Sequence, residues 1–323
     1  MRIFLMIYDT IIIGAGPAGL SAALHLAFHQ RSVLLIDRRT GPLPFTLTPL
    51  YNVPGFERER GVEIIKRMEK QALAAGAKLE RGNVTGVSGQ AGDFSVQLES
   101  GATYQAQTLL LATGVARYHP LVGGDYEPFL KYAAKGNTYY CPDCESPELL
   151  GKHIVVIGVG SATSAVAEAL PLLEFAASVR LLLTGGTEIR AEYEDKRLQH
   201  KMEITVGKIS SIEGSRGQIS ALILEDQTRV TADGFYISSP KFPRNKLALD
   251  LGLEITERGH IKTGWRGQTK LSGKPDGDWF EGVWAAGDVQ PQTQQVSIAV
   301  GSGNIAAVMI DQYLQKTKPR KLT

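Results

Sequence analysis

Hydrophobic residues in this chain come in short runs, and several of the runs enter a glycine turn. Residues 10–13 are the first run, and the turn Gly14-Ala15-Gly16-Pro17-Ala18-Gly19 ends it. Residues 20–28 read as a helix and residues 32–36 as the next strand, closing on Asp37. Unbroken apolar runs of this length are the pattern of strands buried on both faces of a parallel sheet. A β-rich stretch follows, with turns at Gly82, Gly89, Gly92 and Gly101, and it ends in an apolar strand over 108–111 that enters the turn Ala112-Thr113-Gly114. The pattern then repeats. Residues 154–157 predict a strand, Gly158-Val159-Gly160 a turn, 162–172 a helix and 179–183 a second strand, with further strands near 203–206, 219–224 and 235–237. A third glycine signal, Gly287-Asp288, precedes a helix predicted over 296–313, where Gly301 and Gly303 are expected to allow close approach.

These elements predict an α/β fold of two Rossmann-like dinucleotide-binding domains, the second inserted into the first. The expected bounds are 1–118 with 245–323 for one domain and 119–244 for the other. In the first, G-x-G-x-x-G lies between strand and helix, and an acidic residue closes the second strand. Glycines in that context let backbone N–H groups approach a pyrophosphate at the helix N-terminus, and Asp37 can accept from a ribose hydroxyl. A merely structural glycine turn is the competing reading. The apolar start over 1–13 could be mistaken for a leader or membrane segment. Asp9 interrupts it and a glycine turn follows Ile13 directly, so it is read as a buried strand.

Composition narrows the function classes. Of 323 residues, 43% are apolar and 21% charged, and the formal net charge is +2, which excludes any case for nucleic acid. Lys316, Lys318, Arg320 and Lys321 make a basic C-terminal tail, read as a solvated tail, with attraction to an acidic partner or an anionic membrane surface as the alternative. Cysteine poverty fits a reducing compartment, so a cytoplasmic protein is expected.

The chain has two cysteines, and both stand in Tyr139-Tyr140-Cys141-Pro142-Asp143-Cys144-Glu145. Two thiols at that spacing close a small ring that opens and shuts without unfolding anything, which suits redox exchange. As a staple the pair closes almost no loop and gains little. A structural zinc needs four ligands; there is no second cysteine pair, and His119 and His153 lack a finger-like spacing. Inert thiols are the remaining alternative. Pro142 tolerates the first turn of a helix, and a helix starting there aims its dipole at Cys141 and favours the thiolate. Glu145 is expected to hold or deliver the thiol proton, or else to serve as a first-turn helix carboxylate.

Together these residues resemble the low-molecular-weight thioredoxin reductases along nearly the whole chain: the Gly14–Gly19 turn, Asn52-Val53-Pro54-Gly55, Ala112-Thr113-Gly114, the central C-x-x-C, the second glycine motif and Gly287-Asp288 before a helix. The resemblance implies FAD contacts at Gly14, Gly16, Pro17, Ala18, Gly19, Asp37, Asn52, Val84, Thr113, Gly114, Gly287, Asp288, Gln295 and Val296. It implies a homodimer that exchanges with a thiol or disulfide protein or a small thiol, with Cys144 nearer the flavin and Cys141 facing the partner thiol. The middle segment of that family also binds NADPH, and here the chain departs. Where the family has H-R-R to grip a 2′-phosphate, this chain has Thr184-Gly185-Gly186. The second motif reads Gly158-Val159-Gly160-Ser161-Ala162-Thr163, with Thr163 in place of alanine. The R-Q pair after Gly-Asp becomes Gln294-Gln295, and the Asp after the second cysteine becomes Glu145.

A phosphate cradle without a nicotinamide grip resembles the diflavin-linked disulfide oxidoreductases, which implies a second FAD at Gly158, Gly160, Ser161, Ala162 and Thr163, two per chain. NADPH-dependent and ferredoxin-dependent reductases, a decayed second site and a non-catalytic flavoprotein redox sensor are the rival readings. Hydrogen bonds to charged groups contribute roughly 1.5–3 kcal/mol each, so losing two weakens NADPH by roughly a hundredfold or more. NADPH and NADH are therefore expected to reduce the flavin slowly in stopped-flow mixing; rapid full reduction by micromolar NADPH would contradict the reading of 184–186.

Overall fold

In a computed structural model of the chain, residues 6–317 are described; Met1 to Leu5, and Lys318, Arg320 and Lys321 of the basic tail, lie outside them. Two units are present. One comprises residues up to Pro44, Glu63–Ala116 and the chain from Phe242 on; the other comprises Phe45–Val62 and Arg117–Lys241.

The first unit is built on a seven-stranded sheet. Its N-terminal elements are β1 (Ile7–Ile13), α1 (Pro17–Phe28), β2 (Val33–Asp37), α2 (Gly61–Ala74), β3 (Lys78–Arg81), β4 (Val84–Gln90), β5 (Asp93–Leu98) and β6 (Thr103–Leu111). The strand order is β3-β2-β1-β6-β5-β4, and the strand Val283–Ala285 also pairs with β6. β1 lies parallel to both β2 and β6, Ile11 standing opposite Leu34 on one side and Leu109 on the other. That central position explains why its residues are buried after the first. Asp9 does not break the strand, because its carboxylate accepts from the backbone N–H (2.8 Å) and hydroxyl (3.0 Å) of Ser32 at the start of β2.

The C-terminal helix Val296–Thr317 packs on α1. A Cβ on Gly303 would stand 2.1 Å from the carbonyl oxygen of Ala18, so only glycine fits that crossing. Gly301, expected to share this role, faces open space instead. Beside the crossing, the buried carboxylate of Asp311 accepts from Arg31 Nε at 2.6 Å and Gln315 Nε2 at 2.8 Å, and lies 3.0 Å from His29 Nδ1.

The second unit holds a five-stranded parallel sheet: β7 (Thr138–Tyr139), β8 (His153–Gly158), β9 (Ser178–Leu183), β10 (Ile204–Val206) and β11 (Gly234–Ser238), in the order β7-β11-β8-β9-β10. Its helices include α3 (Pro142–Leu149), α4 (Ala162–Ala169) and α5 (Ala191–Gln199). A three-stranded antiparallel sheet over 209–230 completes it. The helix expected over 162–172 is α-helical only to Ala169 and turns to a 3-10 segment over Leu170–Glu174. Pro171 has no N–H to give and its ring crowds the carbonyl four residues back.

Residues 45–62, expected in the first domain, group with the second unit. The backbone N–H of Leu47 donates to Ala134 O at 2.9 Å and that of Tyr51 to Cys144 O at 3.2 Å. Neither pairing shows in local sequence, because each spans most of a hundred residues.

Breaking a buried ion pair by removing one partner costs roughly 3–5 kcal/mol, because the other charge stays buried. Asp311→Asn, which removes the negative charge facing the buried Arg31 guanidinium, is expected to destabilise the first unit by about that much in urea unfolding; a change no larger than that of an exposed substitution such as Gln312→Ala would contradict it.

Candidate active site

Cys141 and Cys144 are joined in a disulfide, their Cα atoms 5.3 Å apart. Cys141 is the N-cap of α3, with extended backbone (φ −138°, ψ 105°), and Pro142 opens the helix, as the sequence predicts. The Cys141 carbonyl accepts from the N–H groups of Cys144 (3.2 Å) and Glu145 (3.1 Å). Cys141 is half-buried, whereas Cys144 is buried. Cys141 is thus the more exposed residue of the pair. A helix N-terminus also favours a thiolate at Cys141.

Glu145 folds back over this start. Its Oε2 accepts from the backbone N–H of Tyr140 at 2.8 Å and of Cys141 at 3.0 Å, and its Oε1 lies 2.7 Å from Thr48 Oγ1. The carboxyl serves the N-cap residue's amide much as the acid of a capping box does. Burial pushes its proton affinity up, while the hydrogen bonds from Thr48, Tyr140 and Cys141 and the charge of Arg117 act against that. Glu145 is thus a buried helix-start carboxylate held by three hydrogen bonds.

Sequence reasoning missed the neighbours. Tyr140 Oη lies 2.9 Å from His119 Nδ1, and the Tyr140 carbonyl accepts from Arg117 Nη1 (3.2 Å) and Tyr236 Oη (3.2 Å). Burial pushes the Tyr140 phenol up, and burial followed by the Arg117 charge pushes the His119 imidazole down, so both stay neutral near neutral pH. Tyr51 Oη donates to Glu148 Oε1 at 2.6 Å, a further tie of residues 45–62 to α3. Aromatic and hydroxyl residues carry no spacing signal at such separations. Among the described residues no cluster of His, Cys, Asp or Glu could hold a metal ion.

The first glycine turn is tightly built. A Cβ on Gly14 would meet Ala112 O at 2.2 Å and one on Gly19 would meet Gly14 O at 1.9 Å, whereas one on Gly16 would meet nothing within 4 Å. Gly14 and Gly19 serve packing, and Gly16 leaves the open face. Pro17 and Ala18 begin α1. Asp37 accepts from the N–H of Ala15 (3.2 Å) and Arg39 (2.9 Å) and from Arg81 (2.7 Å). A carboxylate has about four lone-pair positions, which leaves one for a ribose. Thr113 Oγ1 donates to Arg244 O at 2.7 Å, and the Arg244 N–H returns to Gly114 O at 2.9 Å. A Cβ on Gly287 would stand 2.9 Å from that of Ala18, which brings Asp288 beside the first turn. Gln295 and Val296 start the C-terminal helix, and Val84 starts β4. Asn52 stands on the 45–62 segment, in the second unit.

In the second unit the glycine turn packs against the loop that follows β9. The Gly186 N–H donates to Gly160 O at 2.8 Å, and a Cβ on Gly185 would stand 2.8 Å from Gly160 N. The space a Cβ on Gly158 would need is taken by Ala165 and Leu183. Ser161 caps α4 by accepting from the Ser164 N–H at 3.2 Å, and Ala162 is buried. Thr163 Oγ1 accepts from the Arg190 N–H at 3.0 Å, which spends its hydroxyl on the following loop.

A sequence model of the pyridine nucleotide-disulphide oxidoreductase family matches residues 8–303. The chain belongs to that family. It is 30% identical over 321 residues to the thioredoxin reductase of Bacillus subtilis, covering 96% of each chain. It is also 30% identical over 317 residues to the thioredoxin reductase of Treponema pallidum, covering 95% of this chain and 97% of that one. The solved thioredoxin reductase of Streptococcus pyogenes superposes with a TM-score of 0.83 at 26% identity, covering 96% of this chain and 99% of that one. The chain is a thioredoxin reductase-like enzyme, an FAD-dependent thiol–disulfide oxidoreductase.

FAD is the cofactor this family leads one to expect, and the residues fit it. Gly16 keeps an open face, and in the same unit Gln294 Oε1 is buried without a partner, immediately before the C-terminal helix that crosses α1. A buried acceptor left unpaired costs free energy until a ligand or water meets it. The second turn has a similar orphan. Ser239 Oγ is buried and unpartnered one residue beyond β11, where Ser238 O accepts from the Val159 N–H at 2.8 Å. Cys144→Ser is expected to abolish the spectral change that dithiothreitol causes in the bound flavin while flavin content holds; an unchanged response would remove Cys144 from the path.

Proposed function

We propose that this oxidoreductase passes electrons between FAD in its first unit and the Cys141–Cys144 pair, exchanges that pair with a thiol or disulfide partner, and works without NADPH. The carrying observation is one unit that pairs a disulfide and a buried acid on one helix with a nucleotide turn that packs against Thr184-Gly185-Gly186. No cation stands in that stretch for a 2′-phosphate. The name of the Bacillus subtilis relative supports a thiol-protein partner.

Bound FAD supplies a two-electron carrier; the protein's own residues handle the thiols. A partner thiolate meets the half-buried Cys141 first. It forms a bond to that sulfur while the Cys141–Cys144 bond breaks, and the electron pair leaves on Cys144. In this reading the acid next in sequence, Glu145, protonates the leaving thiolate, and the reverse direction uses the carboxylate as base. Direction depends on the potentials of the two couples.

An adenine dinucleotide flavin suits the second turn. Its pyrophosphate would meet the N-terminus of α4 at Gly160, Ser161 and Ala162. It has no 2′-phosphate, so the missing cations cost it nothing. The competing reading, NADPH, has one observation in its favour: the Arg190 backbone is tethered to Thr163, so a cation stands next to the turn. That guanidinium already lies 3.4 Å from Glu192 and 5.1 Å from the centre of the Tyr193 ring.

Cofactor release and quantitation test this directly, with two FAD per chain expected. Gly160 is a poor site for a blocking substitution, since its φ of +106° strains any other residue. Ser161→Asp keeps a good helix cap and sets a negative charge against the pyrophosphate. It is expected to lose half the bound flavin. An unchanged content would refute the second flavin, and one FAD per chain with rapid reduction by NADPH would select the competing reading.

A further inference from the structure

The two oxygens of Glu145 are not equivalent. Oε2 receives two backbone N–H groups, Tyr140 at 2.8 Å and Cys141 at 3.0 Å, and these occupy both its lone pairs. A proton on this carboxyl therefore belongs on Oε1. There the hydroxyl of Thr48 lies 2.7 Å away, and it is as deeply buried as Glu145, both being 3% exposed. A hydroxyl can donate to the carboxylate and, after rotating, accept from the acid. Thr48 cannot drift, because Leu47 is bonded to Ala134 and Tyr51 is bonded to Cys144 and Glu148.

The other groups that face the carboxyl do not duplicate this. Arg117 favours its ionised form. Tyr139 and Tyr140 at the end of β7, and Tyr236 on β11, interact with it electrostatically, but burial pushes their phenols up and they stay neutral. Glu148, on the same helix, is held by Tyr51 and lies 3.4 Å from Arg58.

We propose that Thr48 is a positioning residue that fixes Oε1 of the Glu145 carboxyl and sets the pH below which that oxygen carries a proton for the thiolate released when the Cys141–Cys144 bond breaks. This rests on the disulfide exchange proposed above. With dithiothreitol the balance is explicit. Its thiolate bonds to Cys141 sulfur, the internal disulfide breaks, and the electron pair departs on Cys144, which takes the Glu145 proton. The second dithiothreitol thiol then displaces Cys141, leaving oxidised dithiothreitol and the protein dithiol, and Glu145 regains its proton from solvent.

The test measures disulfide reduction by dithiothreitol over a pH series, with thiols trapped by alkylation and rates expressed per dithiothreitol thiolate. An acid works only while protonated, so the unmutated protein should show a rate that falls above a break. Glu145→Gln should lack the break and react roughly a hundredfold more slowly below it. Thr48→Val removes a donor that stabilises the ionised carboxyl, so the break should move to higher pH; Thr48→Ser should return it. A merely structural role for Thr48 would lower the rate by one factor at every pH. If Thr48→Val does not fold, Thr48→Ala takes its place. A break unmoved in the valine or alanine variant overturns the assignment of Thr48. A break that survives Glu145→Gln overturns the acid and Thr48 with it. A disulfide that dithiothreitol cannot reduce at all overturns the exchange reading itself.

Discussion

A carboxyl group stays in a protein interior only if its surroundings replace the water it has lost. Glu145 meets that condition with one hydroxyl and two backbone amides, and the active half of the second unit is organised around them. The amides belong to Tyr140 and Cys141, so satisfying the carboxyl also fixes where α3 begins and which sulfur faces outward. The hydroxyl belongs to Thr48, so the same group draws residues 45–62 onto the disulfide helix. Burial raises the carboxyl's proton affinity, and the hydrogen bonds that oppose the shift make its burial tolerable.

The two nucleotide turns show how one motif diverges while its fold persists. In both units a strand paired in parallel with its neighbours delivers a glycine turn to a helix N-terminus. The first turn spends Gly14 and Gly19 on close backbone packing and keeps Gly16 open. The second keeps its helix cap at Ser161 but is covered by Gly185 and Gly186. Side chains at 184–186 large enough to grip a phosphate would have to lie elsewhere than against Gly160. The fold alone does not choose between dinucleotides.

Much of this was legible in the sequence because it depends on neighbours in the chain. Both glycine turns, the helix opening at Pro142 and the redox pairing of Cys141 with Cys144 follow from local spacing. The family resemblance follows from the same motifs. What escaped was set by distant partners. Thr48 and Tyr51 meet α3 across nearly a hundred residues, and nothing in the stretch around them marks that destination. The grouping of residues 45–62 with the second unit escaped for the same reason. The helix expected through 172 changes at Pro171, a local signal overridden by an apolar run that looked continuous. Gly301 and Gly303 read alike in sequence, yet only one lies against Ala18, because helix phase decides which face meets α1.

The central claim is that the disulfide and the flavin form one electron store. Anaerobic reductive titration of the holoprotein, with flavin followed by absorbance and thiols by alkylation, tests it most directly. A disulfide is a two-electron couple. The account predicts uptake of two electrons per bound flavin plus two more per chain, with the extra pair appearing as thiols on Cys141 and Cys144 and reappearing as flavin reduction after the titration is stopped short. Uptake that ends at the flavin, with the Cys141–Cys144 bond still closed and no exchange between them, would contradict it.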